Sequence, residues 1–341
     1  MNSRFQDVVA VILAAGKGIR MKSSLPKVLH PLLGKPMVSY VIQACQRAGI
    51  ERIILVVGFR SDLVRKTLGS EYEYVEQTEQ LGTGHALMMT VEVLKDFHGD
   101  ILVLAGDTPF LTGHILKKLV QHHKKKKSPA TMMTAIIDPP PAYGRIIRDS
   151  SGRVLRIVED RDASIKEKKI TEVNTSHYCF QSSKVFSLLS SLKRDNDQGE
   201  YYLTDVIQLL TQEGSGVEIL IADDPHVLVG INSRADLDNA YRILQQKMIQ
   251  KLLANGVTIV DPSSVLIEPD VKIGKDTIIH PFSSVMGKTV IGQECVIGPH
   301  VKLLDAKINN RCCIEFSIIE NRQIESGAVI GPFAYISGEK K

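Results

Sequence analysis

Seven apolar residues, Ile267, Ile273, Ile279, Val285, Ile291, Ile297 and Leu303, recur every six positions without a break. A six-residue apolar period is the mark of a parallel β-helix, where each hexapeptide forms one side of a triangular coil. Glycine or proline often follows one or two places later, as in Ile273-Gly274, Ile291-Gly292 and Ile297-Gly298-Pro299. The phase slips at Ile308 and Ile314, then resumes at Ile324, Ile330 and Ile336. Ordinary surface strands are the alternative, and so many in-phase positions argue against them. About four coils are expected before Lys341. The last coil is exposed unless charged tail residues or a partner cover it.

A different pattern precedes the repeat. From residue 8 to about 230, apolar runs of strand length alternate with segments of helical period. Strands are predicted at Val8–Leu13, Arg52–Val57, Tyr72–Glu76 and Ile101–Leu104, and helices at Met37–Ala48, Ser61–Leu68, Thr83–Leu94 and Thr112–Lys124. Such alternation indicates an α/β domain with a mostly parallel sheet covered on both faces. Ligands of such sheets bind at the carboxyl ends of the strands, so the loops after Leu13, Glu76 and Leu104 should converge. Arg145–Arg148 and Val154–Val158 read as a hairpin around the turn Asp149–Gly152. Ser233 with Asp236 resembles a capping box opening a helix that runs to about Ala254. The expected division is 1–232, a linking helix 233–256 and a short β-helix 257–341; a chain of 341 residues is long enough for two cores.

Composition narrows the classes of function. The net charge is only +4, which gives no case for a nucleic-acid partner. The Lys124–Lys127 run beside His122 and His123 falls at the end of a helical pattern, where cations suit the helix dipole, and reads as a solvated helix end. The five cysteines form no Cys-x-x-Cys and are odd in number, which fits free thiols in a reducing compartment and no zinc site. The apolar stretch Val8–Ala15 is too short to insert in a membrane. A cytoplasmic location is expected.

Three segments carry chemistry. In residues 11–37, VILAAGKGIRMKSSLPKVLHPLLGKPM, an apolar run ends in a loop with Gly16 and Gly18, and Arg20, Lys22 and Lys27 follow. Small residues let backbone N–H groups approach phosphates, and cations offset phosphate charge. Met21 rules out Gly-x-Gly-x-x-Gly, and no Gly-x-x-x-x-Gly-Lys-Ser/Thr is present. The second segment, Gln77 to Ala86, places Gln77 before Gly82-Thr83-Gly84. Gln77 can donate to and accept from a base edge, although Gly-Thr before a helix is also an ordinary N-cap. His85 reads as packed on that helix. The third, Leu102-Val-Leu-Ala-Gly-Asp107-Thr-Pro, ends a buried strand in a carboxylate. A hard oxygen donor there suits Mg²⁺, with a turn cap as the alternative.

These segments resemble the nucleotidyltransferases that make sugar nucleotides, most of all the bacterial N-acetylglucosamine-1-phosphate uridylyltransferases. Tyr143-Gly144-Arg145-Ile146, Ile157-Val158-Glu159, Glu172-Val-Asn174-Thr, Gln198-Gly-Glu-Tyr-Tyr-Leu-Thr-Asp205 and Val229-Gly-Ile-Asn232-Ser-Arg extend the likeness over residues 8–340. The resemblance implies a Rossmann-like domain followed by a left-handed β-helix. It implies that the backbone of Leu13, Ala14, Ala15 and Gly16, with Gln77, Gly82 and Thr83, holds uridine. Arg20 and Lys27 would contact the triphosphate and act in catalysis, and Asp107 and Asn232 would bind Mg²⁺. Gly106, Gly144, Glu159 and Asn174 would hold the amino sugar phosphate. From chemistry alone, Glu159 and Asn174 are simply polar residues ending strand patterns.

The implied substrates are UTP and N-acetylglucosamine 1-phosphate, and the implied assembly is a homotrimer through the β-helix. Another sugar 1-phosphate such as glucose 1-phosphate, or a non-catalytic scaffold that keeps the fold, are the competing readings. Leu81-Gly82-Thr83 favours the uridylyltransferase branch, and the retained cations and Asp107 argue against a scaffold. Ser176 stands where the resembled family usually has glycine, and Asp160-Arg161 replaces a frequent His-Lys. The bifunctional relatives continue the β-helix into an acetyltransferase half, which His280 and His300 do not match, so acetyl transfer is expected to be absent.

Overall fold

The computed structural model describes residues 4–338 and divides into two compact units. One runs up to Ser233 but omits Pro31–Lys35; the other joins Pro31–Lys35 to the chain from Arg234 onward.

The first unit is built on one mixed sheet of nine strands. Its main path runs Val217–Ile221, Ala130–Ile136, Glu172–Gln181, Asp100–Ala105, Val8–Ala14, Arg52–Val57 and Glu73–Glu76. Val8–Ala14 is a nearly continuous buried apolar run, as expected of a strand covered on both faces. It pairs in parallel with Arg52–Val57 on one side and Asp100–Ala105 on the other. The registers Ala14 to Val57, Val57 to Glu76 and Leu13 to Ala105 align the carboxyl ends of these strands. The loops after them therefore open on one edge.

Glu172–Gln181 is inserted antiparallel between Asp100–Ala105 and Ala130–Ile136. Tyr178 pairs with Val103, so the start of this strand, Asn174-Thr175, reaches the same edge as Ala105. The hairpin Arg145–Arg148/Val154–Val158 forms as predicted and joins the sheet where Arg145 pairs with Val173.

Two local readings are corrected. The helix predicted over Thr83–Leu94 is α-helical only over Thr83–Met88. Thr90 is buried and its hydroxyl donates to the Leu87 carbonyl at 2.7 Å, while β-branched Thr90, Val91 and Val93 weaken continued helix. The cationic end of Gly113–Lys126 is paired as well as solvated. His123 is buried between Thr131 and Asp100, and Lys124 pairs with Asp7 and Asp100.

In the second unit, short strands from Thr258 onward stack into three parallel sheets of five, five and four strands. Every rung joins a residue to its counterpart one coil later, as in Ile279 over Ile297 and Ile297 over Ile314. This is the left-handed parallel β-helix. The side chains of Ile279, Val285, Ile297, Leu303, Ile314 and Ile319 are fully buried along its axis. The phase slip has a simple cause. Leu303 to Ile308, Ile314 to Ile319 and Ile319 to Ile324 are each one residue short of six, yet Leu303 still sits over Ile319 and Ile308 over Ile324. The coil thus loses residues at its corners and keeps its stacked sides. The helix Arg234–Ala254 contributes Ile249 and Leu252 to the same apolar cluster as Val257, Ile259 and Ile267. Gly256, at φ 83°, turns the chain from that helix into the first coil.

Candidate functional site

The aligned strand ends of the first unit surround a cavity of about 480 Å³. Leu13, Ala14, Ala15 and Gly16 line one side, with Gln77, Gly82 and Thr83 beside them. Arg20, Lys27, Asp107 and Asn232 line it as well, as do Gly144, Glu159 and Asn174. Gly106 is the exception among the predicted site residues. It lies below the lining, its N–H donating to the Leu13 carbonyl at 3.0 Å, and a Cβ there would come within 2.9 Å of that oxygen. Its glycine is required by strand-to-strand approach.

The Leu13–Gly16 side of the cavity is shaped by glycines. Gly16 is exposed, with nothing within 4 Å of a would-be Cβ, so its backbone faces open cavity. A Cβ on Gly18, at φ 64°, would meet the Lys27 side chain at 2.6 Å, so this glycine makes room for the lysine stem. Gly82, at φ 103°, lies against the Tyr201 carbonyl, where a Cβ would sit 2.6 Å away.

Gln77 is buried, and its Nε2 donates to the Gly82 carbonyl at 3.0 Å and lies 3.1 Å from His85 Nδ1. A carbonyl only accepts, which fixes the orientation of the amide. With His85 Nδ1 accepting, both amide hydrogens are used and Oε1 is left for a ligand. His85 thus acts from behind Gln77.

Lys27 binds the central oxygens together. Its Nζ forms an ion pair with Asp107 Oδ2 and donates to Asn232 Oδ1 at 2.7 Å. Asn232 Nδ2 donates to the Gly230 carbonyl at 3.2 Å, and the Ile231 N–H donates to the Asp107 carbonyl at 3.0 Å. These bonds aim Asp107 and Asn232 at one point. Among the described residues no cluster of three or more His, Cys, Asp or Glu side chains could hold a metal. Two converging hard oxygens are nevertheless a donor set that Mg²⁺ accepts, since it keeps waters and substrate phosphates as its other ligands. Arg20 is exposed at the rim and makes no salt bridge among the described residues.

A Cβ on Gly144 would strike Ile157 at 2.8 Å and approach Glu159 and Asn174. The Gly144 carbonyl accepts the Asn174 N–H at 2.8 Å, and Asn174 Nδ2 donates to the Tyr178 hydroxyl at 2.7 Å. Burial pushes the Glu159 carboxyl up, against a hydrogen bond from Thr204 that lowers it; Asp162, Asp205 and Asp160 add repulsion. Buried Arg145 pairs with Asp160 at 3.1 Å, which gives the Asp160 departure a structural place.

Sequence reasoning assigned no role to Tyr143 or Tyr202, which also line the cavity. The Tyr143 hydroxyl accepts the Gly230 N–H at 2.9 Å and so ties the Gly144 loop to the Asn232 loop. Only its place beside Gly144 in a matched segment signalled it.

A nucleotidyl transferase family model matches residues 9–224, and a bacterial transferase hexapeptide model (six repeats) matches residues 270–304. The chain is 43% identical over 334 residues to the bifunctional protein GlmU of Caldanaerobacter subterraneus, covering 98% of this chain and 73% of that protein. It is 44% identical over 327 residues to GlmU of Geobacillus thermodenitrificans (96% and 71%) and 42% identical over 327 residues to that of Enterococcus faecalis (96% and 71%). Nucleotidyltransferases of this kind use a divalent metal. The chain is a nucleotidyltransferase and belongs to the GlmU family.

Proposed function

We propose that the cavity of the first unit joins UTP to N-acetylglucosamine 1-phosphate, releasing pyrophosphate and forming UDP-N-acetylglucosamine. The observation that carries this reading is the set of groups that share one cavity: the Gln77 acceptor, the Lys27–Asp107–Asn232 cluster, and half-buried Glu159 with buried Asn174. The free Gln77 oxygen suits a base whose ring nitrogen donates. Uracil N3–H does so, whereas cytosine N3 only accepts.

A phosphate oxygen of the sugar 1-phosphate attacks the α-phosphorus of UTP, and the bond to the β-phosphate oxygen breaks. The attacking oxygen is already anionic, so no general base is needed. Lys27, Arg20 and the Gly16 backbone offset the charge of the triphosphate, while Gly144, Glu159 and Asn174 hold the acceptor in line. Mg²⁺ held by Asp107 and Asn232 would supply further neutralisation of phosphoryl oxygens.

Among the described residues, those up to Asn232 carry this chemistry, Arg234–Ala254 form the linking helix, and those from Val257 to Gly338 form the β-helix, through which the chain assembles as a trimer. No helix among the described residues is long and apolar enough to cross a membrane; the five free thiols suit a reducing, cytoplasmic site of action.

Pyrophosphate release with a panel of nucleotides and sugar 1-phosphates, with and without Mg²⁺, tests the reading. UTP with N-acetylglucosamine 1-phosphate should be the fastest pair and should depend on metal. Absence of turnover with every pair would sink it. Asp107→Asn should shift the Mg²⁺ titration to higher concentration; an unchanged titration would remove Asp107 from the ligand set.

A further inference from the structure

The strand Glu172–Gln181 breaks register with its neighbour between Asn174 and Tyr178. Within the break Ser176 adopts φ 59°, in the left-handed region that favours glycine. The other non-glycine residues with positive φ in this unit, Lys22, Arg60 and Lys127, sit at helix ends. Ser176 alone among the described residues of the unit takes this conformation inside a strand.

The surroundings force it. The Thr175 hydroxyl donates to the Met133 carbonyl at 2.8 Å. The buried His177 ring lies 3.2 Å from both the Thr175 and the Thr108 hydroxyls. The Ser176 N–H donates to Asn174 Oδ1 at 3.2 Å. Both flanks of Ser176 are locked, and Asn174, Thr175, His177 and Tyr178 are all buried. Ser176 itself is exposed, and it lines the cavity beside Asn174, Glu159 and Tyr178. Backbone strain of this kind persists where packing over-determines it, and it concentrates where a side chain is presented to a ligand.

We propose that Ser176 is a specificity-determining residue for the acceptor. Its hydroxyl hydrogen-bonds a polar substituent of the hexose 1-phosphate held by Glu159 and Asn174, a contact that glycine at this place would not provide. This inference rests on the cavity being the uridylyl-transfer site.

The test uses Ser176→Gly and Ser176→Ala in the full chain. Glycine removes both hydroxyl and strain, whereas alanine removes the hydroxyl and keeps the strain. Both should raise KM for N-acetylglucosamine 1-phosphate roughly tenfold, the worth of one hydrogen bond. In both, kcat and KM for UTP should stay within about twofold, and the preference over glucose 1-phosphate should change. Relief of strain should raise the Tm of Ser176→Gly whatever the role of the hydroxyl, whereas an acceptor KM unchanged in both variants would overturn the assignment. A wild-type chain inactive with UTP and every sugar 1-phosphate would remove the underlying reading as well. An active wild type with indifferent variants removes Ser176 alone.

Discussion

The two units use their residues in opposite ways. In the β-helix one task is repeated: Ile279, Ile297, Ile314 and Ile330 occupy the same place in successive coils, each stacked on the next. Each of these residues does the same packing task, and stability is shared along the stack. In the first unit each task is done once. Lys27 joins Asp107 to Asn232, and Gln77 presents an amide whose orientation is fixed by the Gly82 carbonyl. A fold built by repetition is therefore legible from period, while a site built from single residues is legible only from motif and position.

The sharpest way to break this comparison is Lys27→Ala. Loss of a cation aimed at developing charge in a partly buried site should lower kcat about 10²–10³-fold. Lys27 and Asp107 are mostly buried, so leaving the carboxylate unpaired lowers the Tm as well, but the loss of turnover should be much the larger effect. Near-normal turnover in a folded variant would remove Lys27 from the mechanism. The converse variant is Ile297→Ala, which empties a fully buried position between two coils. It should cost about 2–5 kcal/mol in denaturant unfolding, with turnover at 25 °C unchanged. A large loss of turnover in folded Ile297→Ala would break the separation of tasks.

A subtler variant addresses the nucleotide. Gln77→Ala removes the acceptor that distinguishes uracil from cytosine, so the ratio of kcat/KM for UTP over CTP should fall about tenfold. An unchanged ratio would show that selection of the base lies elsewhere.

The same contrast explains what the sequence disclosed. The repeat and the strands Val8–Ala14 and Arg52–Val57 follow from local apolar patterning, because each buries a face determined by its own residues. Asp107 was readable as a strand-end carboxylate. Asn174 was not, since its position depends on Glu172–Gln181 inserting antiparallel beside Asp100–Ala105, a pairing that no local period encodes. Chemistry alone makes Glu159 a polar residue ending a strand pattern; the fold half-buries it in the cavity wall. Gly106 stands against the Leu13 carbonyl, a neighbour brought there by strand pairing and invisible in the local sequence. The ring of bonds behind the site, His85 to Gln77 and Tyr143 to Gly230, depends on loops brought together by the sheet.

Proton linkage gives the smallest effect, with opposite sign in the two units. Burial, then the charge of Asp162, pushes the Asp205 carboxyl up to about 6. Its folded pKa thus lies above its unfolded value, so protonation favours the folded state. The stability this group contributes is present below about pH 4 and is lost as pH rises through about 6. Asn cannot ionise, so Asp205→Asn should match wild type near pH 3.5 and gain Tm progressively up to about pH 7. In the β-helix unit the hydroxyls of Ser263 and Ser264 hold Asp261 below the usual carboxylate range. That group stabilises the fold when ionised, and the contribution disappears as pH falls through its depressed pKa. Asp261→Asn should therefore lower Tm at neutral pH, with the deficit closing on acidification. Thermal melts of both variants at several pH values check the pair, and Tm differences independent of pH would show that neither carboxylate is held as its neighbours require.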